Sequence, residues 1–311
     1  MSSLSLRRFR LIAQVALVSL VLIVVTGSLV RLSGSGLGCD DWPACNERRF
    51  VDVTTGHAAI EQVNRLFTGV VAAAVVTVAL ASWFVRPRRR LLVALAAAQV
   101  FGVVVQVVIG GIVVLTGLNP WSNMAHFLVS VVLVTVGVLL VETSRDELAG
   151  GPVSRPSTRL ALGATSLATV VMVLGTVVTA TGPHAGDANA PRFTLDLGSV
   201  ARAHSVAVLG CLVCLAALSV RLTRHPEDRL VLGGSVQAML AVGLLQGFVG
   251  YLQYFTGVPA PLVAVHIALS MVFWIAVVRT ARSSLIGVRQ PSSVGHESHA
   301  QVPVGAGEQR R

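Results

Sequence analysis

The sequence of 311 residues contains no lysine and few charged residues of any kind. Only 12% of its residues are charged, whereas 54% are hydrophobic. A soluble domain carries about 25% charged residues, so this chain has too little polar surface to cover a water-soluble globule. We therefore expect a membrane protein. Four cysteines in a chain of this length exclude a disulfide-rich secreted scaffold.

The charge that is present has mostly one sign. The 24 basic residues are all arginine and face 14 acidic residues, which gives a net charge of +10. An excess of this size is also typical of nucleic-acid binding, but here the arginines form short runs between apolar stretches. This pattern indicates membrane topology and no nucleic-acid partner.

The apolar stretches are long enough to cross a lipid bilayer, which takes about 20 residues. The first resembles a signal peptide, but its apolar run is too long and no small-x-small cleavage site follows, so we interpret it as a membrane helix. The eight predicted spans are approximately 11–30, 66–85, 91–115, 124–141, 160–180, 200–220, 230–255 and 262–278. They predict an all-α polytopic membrane protein.

The arginines predict the orientation of these spans. With the N-terminus in the cytoplasm, 18 of the 24 arginines lie on the cytoplasmic side, as the positive-inside tendency requires. Both termini are then cytoplasmic in a cell membrane. The segment 283–311 has no apolar periodicity and is predicted to be a disordered tail.

The sequence repeats itself. Gln106, Gly110, Thr116, Gly117 and His126 match Gln246, Gly250, Thr256, Gly257 and His266 at a constant offset of 140 residues, and Asn64 matches His204 at the same offset. Gly27, Gly34 and Gly38 match Gly175, Gly182 and Gly186 at an offset of 148. The repeat predicts two tandem four-helix bundles of the same orientation. The predicted segments are a cytoplasmic N-terminus at 1–10, an N-terminal bundle at 11–143, a cytoplasmic linker at 144–159, a C-terminal bundle at 160–282 and the tail at 283–311.

Three histidines lie within apolar spans, where ionisable side chains are costly and tend to be functional. His126 and His266 occupy equivalent positions in the two halves, and His204 pairs with His266 within the second half. All three lie near the same end of their helices. Two imidazoles at one depth on facing helices are typical of heme ligation, so His204 and His266 predict a bis-histidine heme b site toward the outer face.

The first half departs from this symmetry because Asn64 replaces the equivalent of His204. His126 then remains as the single candidate axial ligand. Glu61 lies one turn before Asn64 on the same helical face, which places a carboxylate beside the expected pocket. The first half is interpreted as a substrate site with Glu61 as its acid-base group. The alternative is an interfacial acid favoured by the helix dipole.

The ordered set of these motifs resembles the heme A synthase family over residues 8–282. The set comprises eight spans in two halves, a loop cysteine pair after Gly34–Gly38, the motif Glu-x-x-(His or Asn)-Arg at Glu61–Arg65, the loop Thr181–Asp187, and His126, His204 and His266. The resemblance implies that heme O is the substrate, that its ring methyl becomes the formyl group of heme A, and that heme b is the cofactor of the C-terminal half. Much of the family has histidine at the position of Asn64. This difference leaves His126 as the main substrate ligand, with His57, expected in the loop, as a possible substitute.

The remaining polar residues have two interpretations each. Cys39 and Cys45 lie in a loop on the oxidising side, where a disulfide persists; the resemblance ties the pair to heme or electron handling, and a structural clip is the alternative. Arg65 and Arg202 pair with heme propionates or extend to lipid headgroups. Cys211 and Cys214 are expected to be packing residues, and His184 is expected to order its loop.

Two other classes of protein fit the same residues. One is a non-catalytic b-type electron-transfer cytochrome, and the other is a transporter whose intramembrane histidine and glutamate side chains bind protons. The family resemblance names heme O synthase and terminal oxidase assembly factors as candidate partners, and a homo-oligomer is a further candidate. The sequence does not identify the electron acceptor.

Overall fold

The computed structural model describes residues 4–145 and 151–286, and these contain eight α-helices. All eight are long and apolar enough to cross a membrane, which confirms the predicted all-α membrane fold. The helices are α1 (Leu6–Leu32), α2 (Gly56–Phe84), α3 (Arg90–Leu115), α4 (Pro120–Thr143), α5 (Arg155–Thr181), α6 (Leu197–Arg224), α7 (Pro226–Phe255) and α8 (Ala260–Ile286).

The helices pack in two closed rings of four. In the first half α1 packs on α2, α2 on α3, α3 on α4 and α4 on α1; α5 to α8 repeat this order. The halves meet through α4 against α8, with α1 also on α8 and α5 on α4. Trp274 Nε1 donates a hydrogen bond to Thr135 Oγ1 across this contact at 2.8 Å. The helices that carry His126 and His266 therefore form the shared wall of the molecule.

Several helices begin at residues that satisfy their free backbone N–H groups. Thr55 accepts a hydrogen bond from the N–H of Ala58 at 3.1 Å, and Asp196 accepts one from Ser199 at 2.7 Å. Asn119 caps α4, where Pro120 takes the first helical position. The cap at Thr55 starts α2 ten residues before the predicted span, so Glu61 and Asn64 lie within the helix and not in its first turn.

Four connections lie together at one end of the molecule, which we call the disulfide end: residues 33–55, 116–119, 182–196 and 256–259. The N–H of Gly36 donates to the carbonyl of Gly186 at 2.9 Å, and Leu118 lies between these two glycines. His184 Nε2 hydrogen bonds to the carbonyl of Val258 at 2.8 Å. These contacts join loops of both halves into one cover over the helix ends.

The predicted tail and linker differ from the structure in their bounds. Residues 283–286 continue α8, because Ser284 is fully buried and its carbonyl accepts a hydrogen bond from Thr158 Oγ1 at 3.3 Å. The prediction of disorder from Ser283 was therefore wrong for these four residues. The remainder of the tail, 287–311, and part of the linker, 146–150, lie outside the described residues. The cytoplasmic side of the termini stays a prediction.

Candidate functional site

The three intramembrane histidines lie in one repeated environment. His126, His204 and His266 are half-buried on α4, α6 and α8. Each ring lies against a glycine of the preceding helix. The distances from an ideal Cβ on the glycine to histidine Cε1 are 3.2 Å for Gly110 and His126, 3.3 Å for Gly175 and His204, and 3.2 Å for Gly250 and His266. Because each of these glycines has no side chain, the edge of the facing histidine ring can pack directly against the helix backbone.

Asn64 on α2 takes the fourth equivalent position. It faces Gly27 on α1, where an ideal Cβ would lie 3.9 Å from Asn64 Nδ2. Asn64 Oδ1 is buried and has no hydrogen-bond partner among the described residues. The sequence match of Asn64 to His204 and of Gly27 to Gly175 is thus also a match in space. The first half keeps the glycine but has an amide where the second half has an imidazole.

The second half fits a heme with two histidine ligands. His204 and His266 lie on α6 and α8, which are diagonal to each other in the second ring of four helices, and the Nδ1 atoms of both are buried without a partner among the described residues. No group of three metal-binding side chains is found within residues 4–145 and 151–286. Heme iron takes only two axial ligands from the protein, and imidazole is a common one. The donor set of this half therefore suits a heme.

Two glutamines hold the backbone beside two of the histidines. Gln106 Nε2 donates to the carbonyl of His126 at 2.7 Å, and Gln246 Nε2 donates to the carbonyl of His266 at 2.8 Å. The Oε1 atoms of both amides are buried and unpartnered among the described residues. The sequence marked these glutamines only as repeat positions. Their equal place in the two halves was the signal for this shared role.

Glu61 is bound to the loop that contains the cysteines. Its side chain is buried, and Oε2 accepts a hydrogen bond from the N–H of Cys39 at 2.8 Å. Oε1 accepts from Arg65 Nε at 3.0 Å and from Arg65 Nη2 at 2.7 Å. The carboxylate is therefore directed to the disulfide end, whereas the neighbouring Asn64 side chain lies against Gly27.

Arg65 closes the same loop over α2. Besides Glu61, its guanidinium donates from Nη1 to the carbonyls of Asp41 and Ala44, both at 3.1 Å, and from Nη2 to the carbonyl of Cys39 at 3.3 Å. A guanidinium has five N–H groups, and these bonds use all five. Cys39 and Cys45, both fully buried, form the disulfide of this loop. Arg65 thus organises the loop and has no donor left for a propionate in this arrangement.

The other candidate residues lie apart from these contacts. Arg202 is exposed and donates to Ser199 Oγ at 2.9 Å. His57 lies in the first turn of α2, and not in the loop as expected, where Nδ1 hydrogen bonds to Ser35 Oγ at 2.8 Å. His184 orders the loops through Val258. Cys211 and Cys214 are free thiols within α6, as expected of packing residues.

A family model matches most of the chain. Residues 10–278 match COX15-CtaA, described as cytochrome oxidase assembly protein. This match runs from the second turn of α1 into α8, and so it includes both four-helix rings and every candidate residue named above.

Curated relatives match a shorter part. A protein named heme A synthase from Listeria welshimeri serovar 6b is 30% identical over 136 residues, which cover 42% of this chain and 44% of the relative. Proteins of the same name from Lysinibacillus sphaericus and Bacillus pumilus are 31% and 28% identical over 135 and 144 residues. These cover 43% and 44% of this chain, and 44% and 47% of the relatives. The chain therefore spans less than half the length of each of these relatives in the alignments.

Proposed function

We propose a function from one premise, which is that the chain belongs to the COX15-CtaA family of cytochrome oxidase assembly proteins. Our proposal is that it is a heme A synthase, an oxidoreductase that converts the ring methyl of heme O into the formyl group of heme A. The names of the curated relatives support this assignment. Heme O is then the substrate, and the product serves terminal oxidase assembly.

The observation that carries the proposal is the unequal occupation of four equivalent positions. Three hold histidines against glycines, and the fourth holds Asn64 against Gly27. An electron-transfer cytochrome with two fixed hemes is expected to hold each heme with two strong ligands, and this chain differs from such a protein, and from much of its own family, in having one histidine in the first half. The half with one histidine suits a porphyrin that must enter, react and leave. The half with two histidines suits a resident group.

We assign heme b to the second half, held by His204 and His266. When bound there, heme b supplies one-electron redox chemistry between the substrate site and an external acceptor. The residues of this half have no proton-transfer role in the proposal. Gly175 and Gly250 hold the planes of the two histidine rings by direct contact. At His266, the hydrogen bond from Gln246 Nε2 to the backbone carbonyl also fixes the helix position.

The reaction at the substrate methyl is a four-electron oxidation. Two successive hydroxylations convert the methyl to a hydroxymethyl group and then to a gem-diol, which loses water to give the aldehyde. With water as the oxygen source, the balance is one water consumed and four protons and four electrons released. A carboxylate cannot accept those electrons, so the reaction needs the one-electron redox chemistry that a heme held by His204 and His266 would supply.

Glu61 is assigned the proton and charge part of this reaction. Positive charge that develops beside the methyl carbon is stabilised by a fixed carboxylate, and Glu61 is fixed by Arg65 on one oxygen and by Cys39 N–H on the other. Each carboxylate oxygen has two acceptor positions, and Oε2 lies at the disulfide end of the molecule, where it accepts from Cys39 N–H. His126 and Asn64 orient the substrate below it.

The location and partners follow from the same proposal. We place the disulfide end on the outer side of a cell membrane, with both termini in the cytoplasm, because 18 arginines belong to the other side. Heme O synthase is the protein that would deliver the substrate, and terminal oxidase assembly factors would receive the product.

The test is heme identification in a host that makes heme O but no heme A. Membranes that contain this chain should yield heme A, and the purified protein should also retain heme b. Recovery of heme b alone, with heme O unchanged in the membranes, would favour the electron-transfer cytochrome. A colourless purified protein would favour the proton-coupled transporter. Either outcome would overturn the proposal.

A further inference from the structure

The two halves differ at the end of the molecule opposite the disulfide end. There α1 and α2 of the first half correspond to α5 and α6 of the second half. The buried positions agree under the repeat offsets, since Phe9 and its equivalent Ser157 are both fully buried, as are Leu92 and its equivalent Leu232. The two ends can therefore be compared residue by residue.

The second half contains a buried carboxylate at this end. Asp228, at the start of α7, accepts hydrogen bonds from the N–H of Ser154 at 2.9 Å and from Ser157 Oγ at 2.6 Å. Arg221 of α6 donates from Nε to the same Ser157 Oγ at 2.8 Å. The start of α5, the end of α6 and the start of α7 are thus joined around an anion that the chain supplies itself.

The first half has no carboxylate at the equivalent position. The offset of 140 places Arg88 where the second half has Asp228, and Ala81 where it has Arg221. The guanidinium of Arg88 lies over the ring of Trp83, 4.9 Å from its centre. A cation therefore takes the place of the buried anion, and a methyl group takes the place of a long side chain.

The segments that form this end of the first half supply only positive charge. No aspartate or glutamate occurs in residues 1–39 or 62–141. The N–H of Leu4 donates to the carbonyl of Phe84 at 2.9 Å, which brings the start of α1 beside the connection from α2 to α3. Like charges gathered in this way repel one another. The arginines of these segments are Arg7, Arg8, Arg10, Arg86, Arg88, Arg89 and Arg90.

An open groove of about 400 Å³ lies between α1 and α2 at the same end. Ala81 lines it, so the small side chain at the position of Arg221 leaves this space open. Arg8 also lines the groove; it is exposed, and its guanidinium has no partner among the described residues. The apolar walls are formed mainly by Leu4, Ile12, Leu80 and Phe84.

The mouth of the groove lies at the depth expected for lipid headgroups. Trp83, next to the groove residue Phe84, is exposed, and tryptophan is enriched where a membrane meets water. Arg86 donates from Nη1 to the carbonyl of Trp83 at 2.8 Å. Arg86 and Arg88 are thus engaged at the end of α2, whereas Arg8 extends its donors at the groove itself.

We propose that this groove binds one anionic phospholipid, with an acyl chain on its apolar walls and the phosphate on Arg8. A guanidinium can bind a phosphate through two parallel hydrogen bonds, and basic pockets between membrane helices bind anionic headgroups. The lipid phosphate would supply in the first half the negative charge that Asp228 supplies in the second. The inference goes beyond the proposed function and does not depend on heme chemistry.

The experiment measures lipid binding to the full chain purified in detergent. Native mass spectrometry gives the dissociation constant of the first bound lipid, for phosphatidylglycerol and for phosphatidylcholine with the same acyl chains. The variants are Arg8→Gln and Ala81→Phe. Arg7→Gln is the matched control, because Arg7 is an exposed arginine next to Arg8 that does not line the groove. Inorganic phosphate is added as a competitor in a separate titration.

Arg8→Gln should weaken binding of phosphatidylglycerol by about five- to tenfold, as expected for loss of one arginine at a headgroup, and should leave phosphatidylcholine unchanged. Ala81→Phe should weaken binding of both lipids because its ring fills the groove. Arg7→Gln should change neither constant by more than about twofold.

Three outcomes would overturn the proposal. Equal effects of Arg7→Gln and Arg8→Gln on phosphatidylglycerol would show a general attraction to the basic end of the protein. Unchanged binding of both lipids to Ala81→Phe would place the acyl chain elsewhere. Displacement of phosphatidylglycerol by millimolar inorganic phosphate would show a site for the free anion and not for a lipid.

Discussion

Gly250 on α7 lies against the ring of His266 on α8, so that a Cβ atom there would be 3.2 Å from Cε1. Gly247, one turn earlier on the same helix, has nothing within 4 Å of its ideal Cβ. The two glycines therefore separate a steric effect on the ring from the general effect of alanine on a helix.

Gly250→Ala should displace the His266 ring by a few tenths of an ångström and reduce retention of heme b. Gly247→Ala should retain the heme, because alanine favours a helix by about 1 kcal/mol relative to glycine and meets no atom there. The measurement is the low-spin absorbance per protein after purification. Equal heme contents in the two variants would contradict the idea that Gly250 is needed to leave space for the His266 ring.

His204→Ala and His266→Ala should each remove the tightly held b-type heme while the chain still inserts in the membrane. The reason is that each supplies one of the two axial ligands we assign to this half. His184→Ala is the control, since His184 lies in a loop and bonds only to Val258 among the described residues. Full low-spin b-type absorbance in either helix variant would refute the ligation.

Glu61→Gln should keep heme b but accumulate heme O or a hydroxylated intermediate in place of heme A. The substitution preserves the size of the side chain and removes the charge, and acid-base contributions are typically about 100- to 10,000-fold in rate. Heme extraction with chromatography measures the ratio of the three hemes.

A matched control for Glu61→Gln is Glu142→Gln. Glu142 is also buried, and it forms ion pairs with Arg145 and Arg279, both at 3.2 Å. It lies at the end of α4 that is opposite the disulfide end. This variant should make heme A at close to the parent rate. If Glu61→Gln does the same, its carboxylate has only the structural role of holding the cysteine loop.

Freshly isolated protein should contain Cys39 and Cys45 as a disulfide, with Cys211 and Cys214 as thiols. The first pair lies in a loop at the disulfide end, whereas the second pair lies within α6. Alkylation under denaturing conditions followed by mass mapping gives the state of each sulfur. Alkylation of both loop cysteines without prior reduction would count against the bond.

The sequence predicted the eight helices because each is a long apolar run, and it predicted the equivalence of the two halves because matching residues recur at the constant offsets of 140 and 148. It placed the Glu61 carboxylate beside the substrate pocket and paired Arg65 with propionates or lipid headgroups, and it did not predict the bonds of both side chains to the cysteine loop. Their partners are 21 to 26 residues away in a loop with no periodic pattern, and only the folded loop brings its carbonyls over α2. The start of α2 was missed for a related reason. Its first turns are polar and are stabilised by the Thr55 cap and the loop, so they carry no signal of lipid burial.

The glycine positions were visible in the sequence as repeat markers, but their function was not. Gly175 and His204 are 29 residues apart, and nothing in the intervening pattern indicates that they touch. Only the packing of α5 on α6 brings Gly175 against the ring of His204.

The looser fit at Gly27 has an evolutionary consequence. At 3.9 Å from Asn64 Nδ2, a Cβ at this position would make only ordinary van der Waals contact, unlike the three glycines that face imidazoles. Once asparagine occupies position 64, selection against larger residues at position 27 is relaxed, and alanine or serine there becomes neutral. Among natural homologues the two positions should therefore covary: glycine should be invariant at 27 where the partner is histidine, and free to drift where the partner is asparagine.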